Sequence, residues 1–455
     1  MDDVYIENRM GTMPVPKLII TISLPMVFSM FVQALYNIVD SIFVAKINEA
    51  ALTAVSLAFP IQTLMIAVGI GTSVGVNALL STRLGQKRQD DVDSAAMNGL
   101  FLALCSFLAF FILGFFILEP YLQTQVQHEE IIQFGMDYLT IVVFGSFGMF
   151  MVLMLDRILQ GTGLTFYTMI SQVAGAVTNI VFDPLLIFGF GPFPRMGMAG
   201  AALATVMGQY VSMVLSLIFN LTKNKEVHFR FRGFRPNRRT IIDIYRVGVP
   251  AILLNAISSV TTYLMDIVLG FFSTTAIAVY GVYFKINSFI FMPVFGLNNG
   301  LVPIIAYNYG AEKKRRIIQT IRTGLLYALG LMVLGTVIFE LFPTQLLGLF
   351  SASDDMLAIG IPALRIIATS FVGAAIAITL NSVFQAFSDA VYSMIVSFMR
   401  QFVVLLPSAY ILSLSGNVNN VWWCFPIAEI VSLVASVLFL IRILRTKVRP
   451  MRDEA

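Results

Sequence analysis

Apolar residues in this chain come in long runs rather than in one-sided stripes. From Leu18 to Val44 only Asp40 carries a charge, and stretches of similar length follow one another as far as Ile443. A bilayer's hydrocarbon core takes about 20 helical residues to cross. The polar breaks therefore predict about twelve spans, near 17–45, 52–81, 93–118, 131–155, 166–190, 197–222, 241–271, 275–305, 317–341, 357–386, 391–415 and 420–444. The short alternating segments of a membrane β-barrel are missing from the pattern. The fold class expected is an all-α polytopic membrane protein.

Lysine and arginine sort the breaks into two sets. One set holds Arg9, Lys17, Arg83, Lys87, Arg88, Arg157, the stretch from Lys223 to Arg239, Lys313 to Arg316, and the end from Arg442 to Arg452, 22 basic residues in all. The other holds Lys46 and Arg195 and is otherwise acidic, as at 128–130 and 354–355. Basic loops stay in the cytoplasm, so both termini are expected there, with an even number of spans. The polar, acidic start, MDDVYIENRM, does not read as a cleaved signal peptide.

Composition agrees: 58% of residues are hydrophobic and 12% charged, against roughly 25% charged in a soluble domain. The net charge of +4 is accounted for by the cytoplasmic loops, which contact lipid headgroups, and no nucleic-acid surface is expected. Cys105 and Cys424 sit in apolar runs, and His128 and His228 fall in loops. No disulfide framework, metal cluster or cofactor follows from them, and the spans hold no HExxH or Ser–His pair, so the chain does not read as an enzyme.

The chain also repeats. GTSVGVNALLSTRLGQKRQ from Gly71 aligns with GLNNGLVPIIAYNYGAEKK from Gly296, so that Gly71, Gly75 and Gly85 meet Gly296, Gly300 and Gly310. Pro25 meets Pro250 and Gln160 meets Gln385. Two lobes of six spans are predicted, 1–222 and 241–455, joined by a basic linker at 223–240. With six spans each, the repeats share orientation and imply a pseudo-two-fold axis along the membrane normal, an arrangement suited to alternating access. Pro25, Pro60, Pro184, Pro250, Pro293, Pro407 and Pro426 fall within spans and predict bends there.

Polar residues inside the spans are costly and mark function by default. Gln33, Tyr36, Asn37 and Asp40 follow helical spacing and form one stripe, with Asp40 about 23 residues, or roughly 34 Å, into an outward-running helix. Asn179 and Asp183 lie one turn apart on span five, and Thr205 lies at similar depth on span six. Two carboxylates sharing a low-dielectric site invite a proton, and the same oxygens, with an amide and a hydroxyl, suit Na⁺. In the second half Asp266 and Glu429 fall beside the counterparts of Asp40 and Thr205, whereas Val404 and Ser408 replace Asn179 and Asp183. With Lys285 and Arg400 also inside spans, the expectation there is a buried, structural ion-pair network.

Taken together, LPMVFSMFVQALYNIVDSIFV, LLSTRLGQKRQ, LQGTG and NIVFDP resemble the multidrug and toxic compound extrusion (MATE) family, over essentially the whole chain. The DinF-like prokaryotic branch, and within it the MepA-like exporters, looks nearest. The resemblance implies an antiporter in the plasma membrane of a prokaryote, acting as a monomer and driven by H⁺ or Na⁺. It would export amphipathic organic cations such as drugs and dyes. It also implies a first-half cation site at Asp40, Asn179, Asp183 and Thr205, with substrate contacts at Gln33, Tyr36 and Asn37. The NorM-like branch carries a glutamate in span seven where this chain has Ser258, so a second-half coupling site of that type is not expected. The rival reading is a lipid-linked precursor flippase of the same superfamily, which should line its cavity with bases.

Overall fold

A computed structural model describes residues 8–350 and 353–451; the N-terminal MDDVYIE and Arg452 lie outside them. The described residues are nearly all helical and contain no strand. Among the described residues ten helices are long and apolar enough to cross a membrane, and the count reaches twelve if each of two bent helix pairs forms one span. The outer surface is apolar: Phe115 and Phe116 are 67% and 71% exposed. Such a surface is tolerable against lipid tails and not in water.

Helices outrun the apolar runs that announced them. The span expected at 93–118 is a helix from Gln89 to Gln125, which begins with Asp90 and Asp91. Carboxylates in a first turn complement the helix dipole, so polarity ends the hydrophobic run without ending the helix.

The prolines within spans do not end their helices. Helices run unbroken through Pro25, Pro60, Pro184, Pro250 and Pro293. The two breaks fall instead at Gly145–Ser146, with a 46° bend between Glu129–Phe144 and Phe147–Gly161, and at Thr369–Ser370, with a 53° bend between Asp354–Ala368 and Phe371–Ala386. At both, hydroxyls take up carbonyls released from the helix ladder: Ser146 Oγ donates to Val143 O at 2.7 Å and Ser370 Oγ to Ile367 O at 2.6 Å. Pro407 follows a π-helical stretch, Met399–Leu405.

The sequence repeat extends to backbone detail. Helices Glu49–Gly85 and Thr274–Gly310 are both 37 residues long, and are capped by Asn48 accepting from Ala51 N and Ser273 accepting from Ala276 N. After each, a non-glycine residue adopts positive φ, Lys87 at 58° and Glu312 at 57°. In the next matching turn, Gly163 at 85° is answered by Ser388 at 60°.

The chain forms two compact units, Phe28–Val249 and Met1–Val27 with Pro250–Ala455. Their borders fall inside helices Val15–Ala45 and Arg238–Gly270, a few residues from Pro25 and at Pro250. Two repeat-related glycines explain why. A Cβ on Gly75 would lie 2.2 Å from Ile244 O, so only glycine lets the start of Arg238–Gly270 press against Glu49–Gly85. A Cβ on Gly300 would lie 2.2 Å from Ser23 Oγ, and the start of Val15–Ala45 packs there in the same way. The segments leading into these helices dock likewise. The basic linker is held by Asp93 Oδ1 accepting from His228 N at 2.8 Å and Asn98 Oδ1 accepting from Asn237 N at 2.9 Å. Ahead of Val15, Arg316 donates to Met10 O and Met13 O.

Candidate functional site

Within the Phe28–Val249 unit, three helices bring four candidate residues into one chain of contacts. Asp183, on Thr165–Phe188, is fully buried, and Asn179, a turn earlier, is 3% exposed. Asp40, on Val15–Ala45, is half-buried, and its carboxyl lies against that of Asp183. The Asn179 amide, oriented by its surroundings, donates to Asp183 Oδ2 at 3.2 Å and accepts from the Thr205 hydroxyl and backbone N, both at 3.3 Å. Thr205 arrives on Met198–Thr222. That helix packs tightly on Thr165–Phe188 because neither Gly175 nor Gly208 has room for a side chain: each Cβ would lie 2.7 Å from the other's carbonyl oxygen.

Ionised carboxylates only accept hydrogen bonds, so the Asp40–Asp183 contact needs a proton or a cation to hold it. Asp40 Oδ1 and Asp183 Oδ1 are buried with no hydrogen-bond partner among the described residues. Buried acceptors left in that condition are costly. An all-oxygen set from two carboxylates, an amide and a hydroxyl is also the donor chemistry that hard cations prefer.

Beside this chain lies a cavity of about 180 Å³, lined by Gln33, Tyr36, Asn179, Thr205, Asp156 and Gln209 among others, and by no basic side chain among the described residues. Tyr36 is hydrogen-bonded to Gln33. Asn37 is exposed, does not line the cavity, and its carbonyl accepts from Ser41 Oγ.

Two residues escaped the sequence reading. Tyr138 is 3% exposed, accepts from Gln62 Nε2 at 3.0 Å and lies within electrostatic reach of Asp40 and Asp183. Asp156 is 4% exposed, and its carboxylate accepts from Ser171, Ser216 and Gln172. It sits next to Arg157, which the sequence places in a loop; both lie in helix Phe147–Gly161, where Arg157 donates to Gln160 Oε1. A carboxylate followed by a base at a span's end looks like a solvated pair, and only the helix's last turn shows otherwise.

In the other unit Arg400 Nη1 lies 3.1 Å from Glu429 Oε2. Asp266 and Lys285 do not join this pair: Asp266 is half-buried, and Lys285 is exposed, 6.0 Å from the Phe350 ring. Ser258 accepts from Gln401 at 3.5 Å. Among the described residues no cluster of three or more His, Cys, Asp or Glu could hold a metal ion.

The MatE family model matches residues 25–185 and 250–411. A multidrug export protein MepA of Staphylococcus saprophyticus is 24% identical, the match covering 91% of each chain. An FAD transporter of Shewanella oneidensis is also 24% identical, over 94% of this chain and 95% of its own. Among solved structures, an outward-facing multidrug resistance MATE family transporter of the MOP superfamily superposes with a TM-score of 0.90 at 24% identity, over 96% of this chain and 98% of that one. Family match and fold agree, and the chain belongs to the MATE family of membrane transporters, not enzymes.

Proposed function

We propose that the protein is a multidrug efflux antiporter, exporting amphipathic organic cations in exchange for H⁺ or Na⁺ by alternating access. The observation that carries this reading is the Asp40–Asp183 contact beside a cavity without bases. When the site holds its proton or Na⁺, the carboxylate charge is neutralised and an organic cation is poorly held. When the ion leaves, the charge returns and the cation is favoured. Ion and drug then compete for one pair of acids, which is all that coupling requires. Asn179 and Thr205 hold the coupling ion with the acids; Gln33 and Tyr36 contact the drug in the cavity, and Asn37 lies outside it. The protein works as a monomer in a prokaryotic plasma membrane with both termini cytoplasmic, and the Arg400–Glu429 pair serves structure.

The relatives named for MepA support a drug substrate. A lipid-linked precursor carries phosphates and needs bases that this cavity lacks. The test is efflux of a fluorescent organic cation from reconstituted vesicles under a pH gradient and, separately, a Na⁺ gradient. Wild type should transport with one of the gradients and Asp40→Asn with neither. Undiminished gradient-driven efflux by Asp40→Asn would remove the pair from coupling.

A further inference from the structure

The unit containing Pro250–Ala455 has a cavity of its own, about 250 Å³, and nothing in the reading above uses it. One wall is aromatic. Tyr280 and Tyr283 stack with centroids 6.1 Å apart, and Phe425 lies 5.8 Å from Tyr283 and 6.2 Å from Tyr280. Glu429 faces the same space and is 5% exposed. Its Oε2 is taken by Arg400, but its Oε1 is buried and has no hydrogen-bond partner among the described residues. Asn287 Oδ1, on a residue lining the same cavity, is in the same state.

Two buried acceptors without a donor define what is missing, a group with at least two N–H or O–H bonds. Charge decides which. Arg400 and Glu429 cancel, and no other charged side chain lines the cavity among the described residues, so no unbalanced positive charge repels a cation there. Aromatic faces attract cations and not anions. Arg400 stands on the π-helical stretch Met399–Leu405, a backbone form found disproportionately at functional sites. Space is also kept open behind the acid: a Cβ on Gly373 would lie 2.9 Å from Glu429 Cγ.

We propose that this cavity binds a primary ammonium ion carrying an aromatic group. It donates N–H bonds to Glu429 Oε1 and Asn287 Oδ1 and lies against Tyr280, Tyr283 and Phe425. The site is separate from the Asp40–Asp183 pair and does not depend on that pair's role in coupling.

The test is calorimetric binding of benzylammonium and of benzyltrimethylammonium, which has the same charge and ring but no N–H, to the purified full-length protein. Benzylammonium should bind about tenfold more tightly, the worth of a hydrogen bond to a charged group. Asn287→Leu, which leaves the Arg400–Glu429 pair and its bond to the ammonium intact, should reduce that preference, and Glu429→Gln should abolish binding at this site. Equal affinity for the two ions, or an unchanged preference in Asn287→Leu, would overturn the proposal. Vesicle efflux by the Asp40 variant is a separate readout, so failure here leaves the transport reading standing.

Discussion

The two units share a scaffold and differ in how a buried acid is compensated. Matching helices, caps and positive-φ turns recur from one to the other. In the first, Asp183 meets another carboxyl, an amide and no base; in the second, Glu429 meets a guanidinium. An acid neutralised by Arg400 has its counter-charge built in. An acid facing Asp40 must draw its counter-charge from solution, and only that kind can exchange it. The repeat supplies a frame, and one substitution pattern, Asp183 in one half against Ser408 in the other, separates an acid pair that draws its counter-charge from solution from an acid whose counter-charge is built in.

That contrast can be broken most severely at Asp183. Asp183→Asn should lower gradient-driven dye efflux at least about tenfold without lowering the unfolding temperature in detergent, because it removes an uncompensated buried acid. A loss of stability equal to the loss of transport would make the pair structural. The second unit should behave in the opposite way. Arg400→Gln leaves Glu429 buried and unpaired and should cost about 3 kcal/mol, while the double change to leucine at 400 and 429 stays within about 1 kcal/mol of wild type. Unfolding temperatures of the single and double variants decide it.

Smaller effects sharpen the scaffold comparison. Gly75→Ala drives a Cβ against a backbone carbonyl, that of Ile244, whereas Gly300→Ala meets first the Ser23 hydroxyl. The former should be the more destabilising, within the roughly 1–3 kcal/mol of an overpacked core, and equal losses would show that Ser23 cannot yield. Smallest of all, Asn48→Ala and Ser273→Ala should each cost about 1 kcal/mol as matched cap losses, read from the same melting curves.

Much of this was legible in the sequence because apolar length and loop charge are read locally. Asp40, Asn179, Asp183 and Thr205 were grouped by helical spacing and depth alone, and they do meet. Where reading failed, the cause was a tertiary one. Prolines signal bends, but the helices continue through Pro25 and Pro250, and the breaks with bends above 40° come at Gly145–Ser146 and Thr369–Ser370, where hydroxyls can catch loose carbonyls. Asp156 was hidden by Arg157, since a charged pair at a span's end looks like loop. Lys285 was grouped with Glu429 because both lie in spans, and nothing in one-dimensional spacing tells an inward side chain from an outward one.

The central claim is that the Asp40–Asp183 pair holds an ion that the drug displaces. Ion release is its most direct measure. An organic cation is added to the purified protein, unbuffered and then preloaded with radioactive Na⁺, and the protons or Na⁺ set free are counted. The account predicts release of one of the two ions on drug binding by wild type, and of neither by Asp40→Asn. Drug binding by wild type with no ion released, or the same release from the variant, would contradict it.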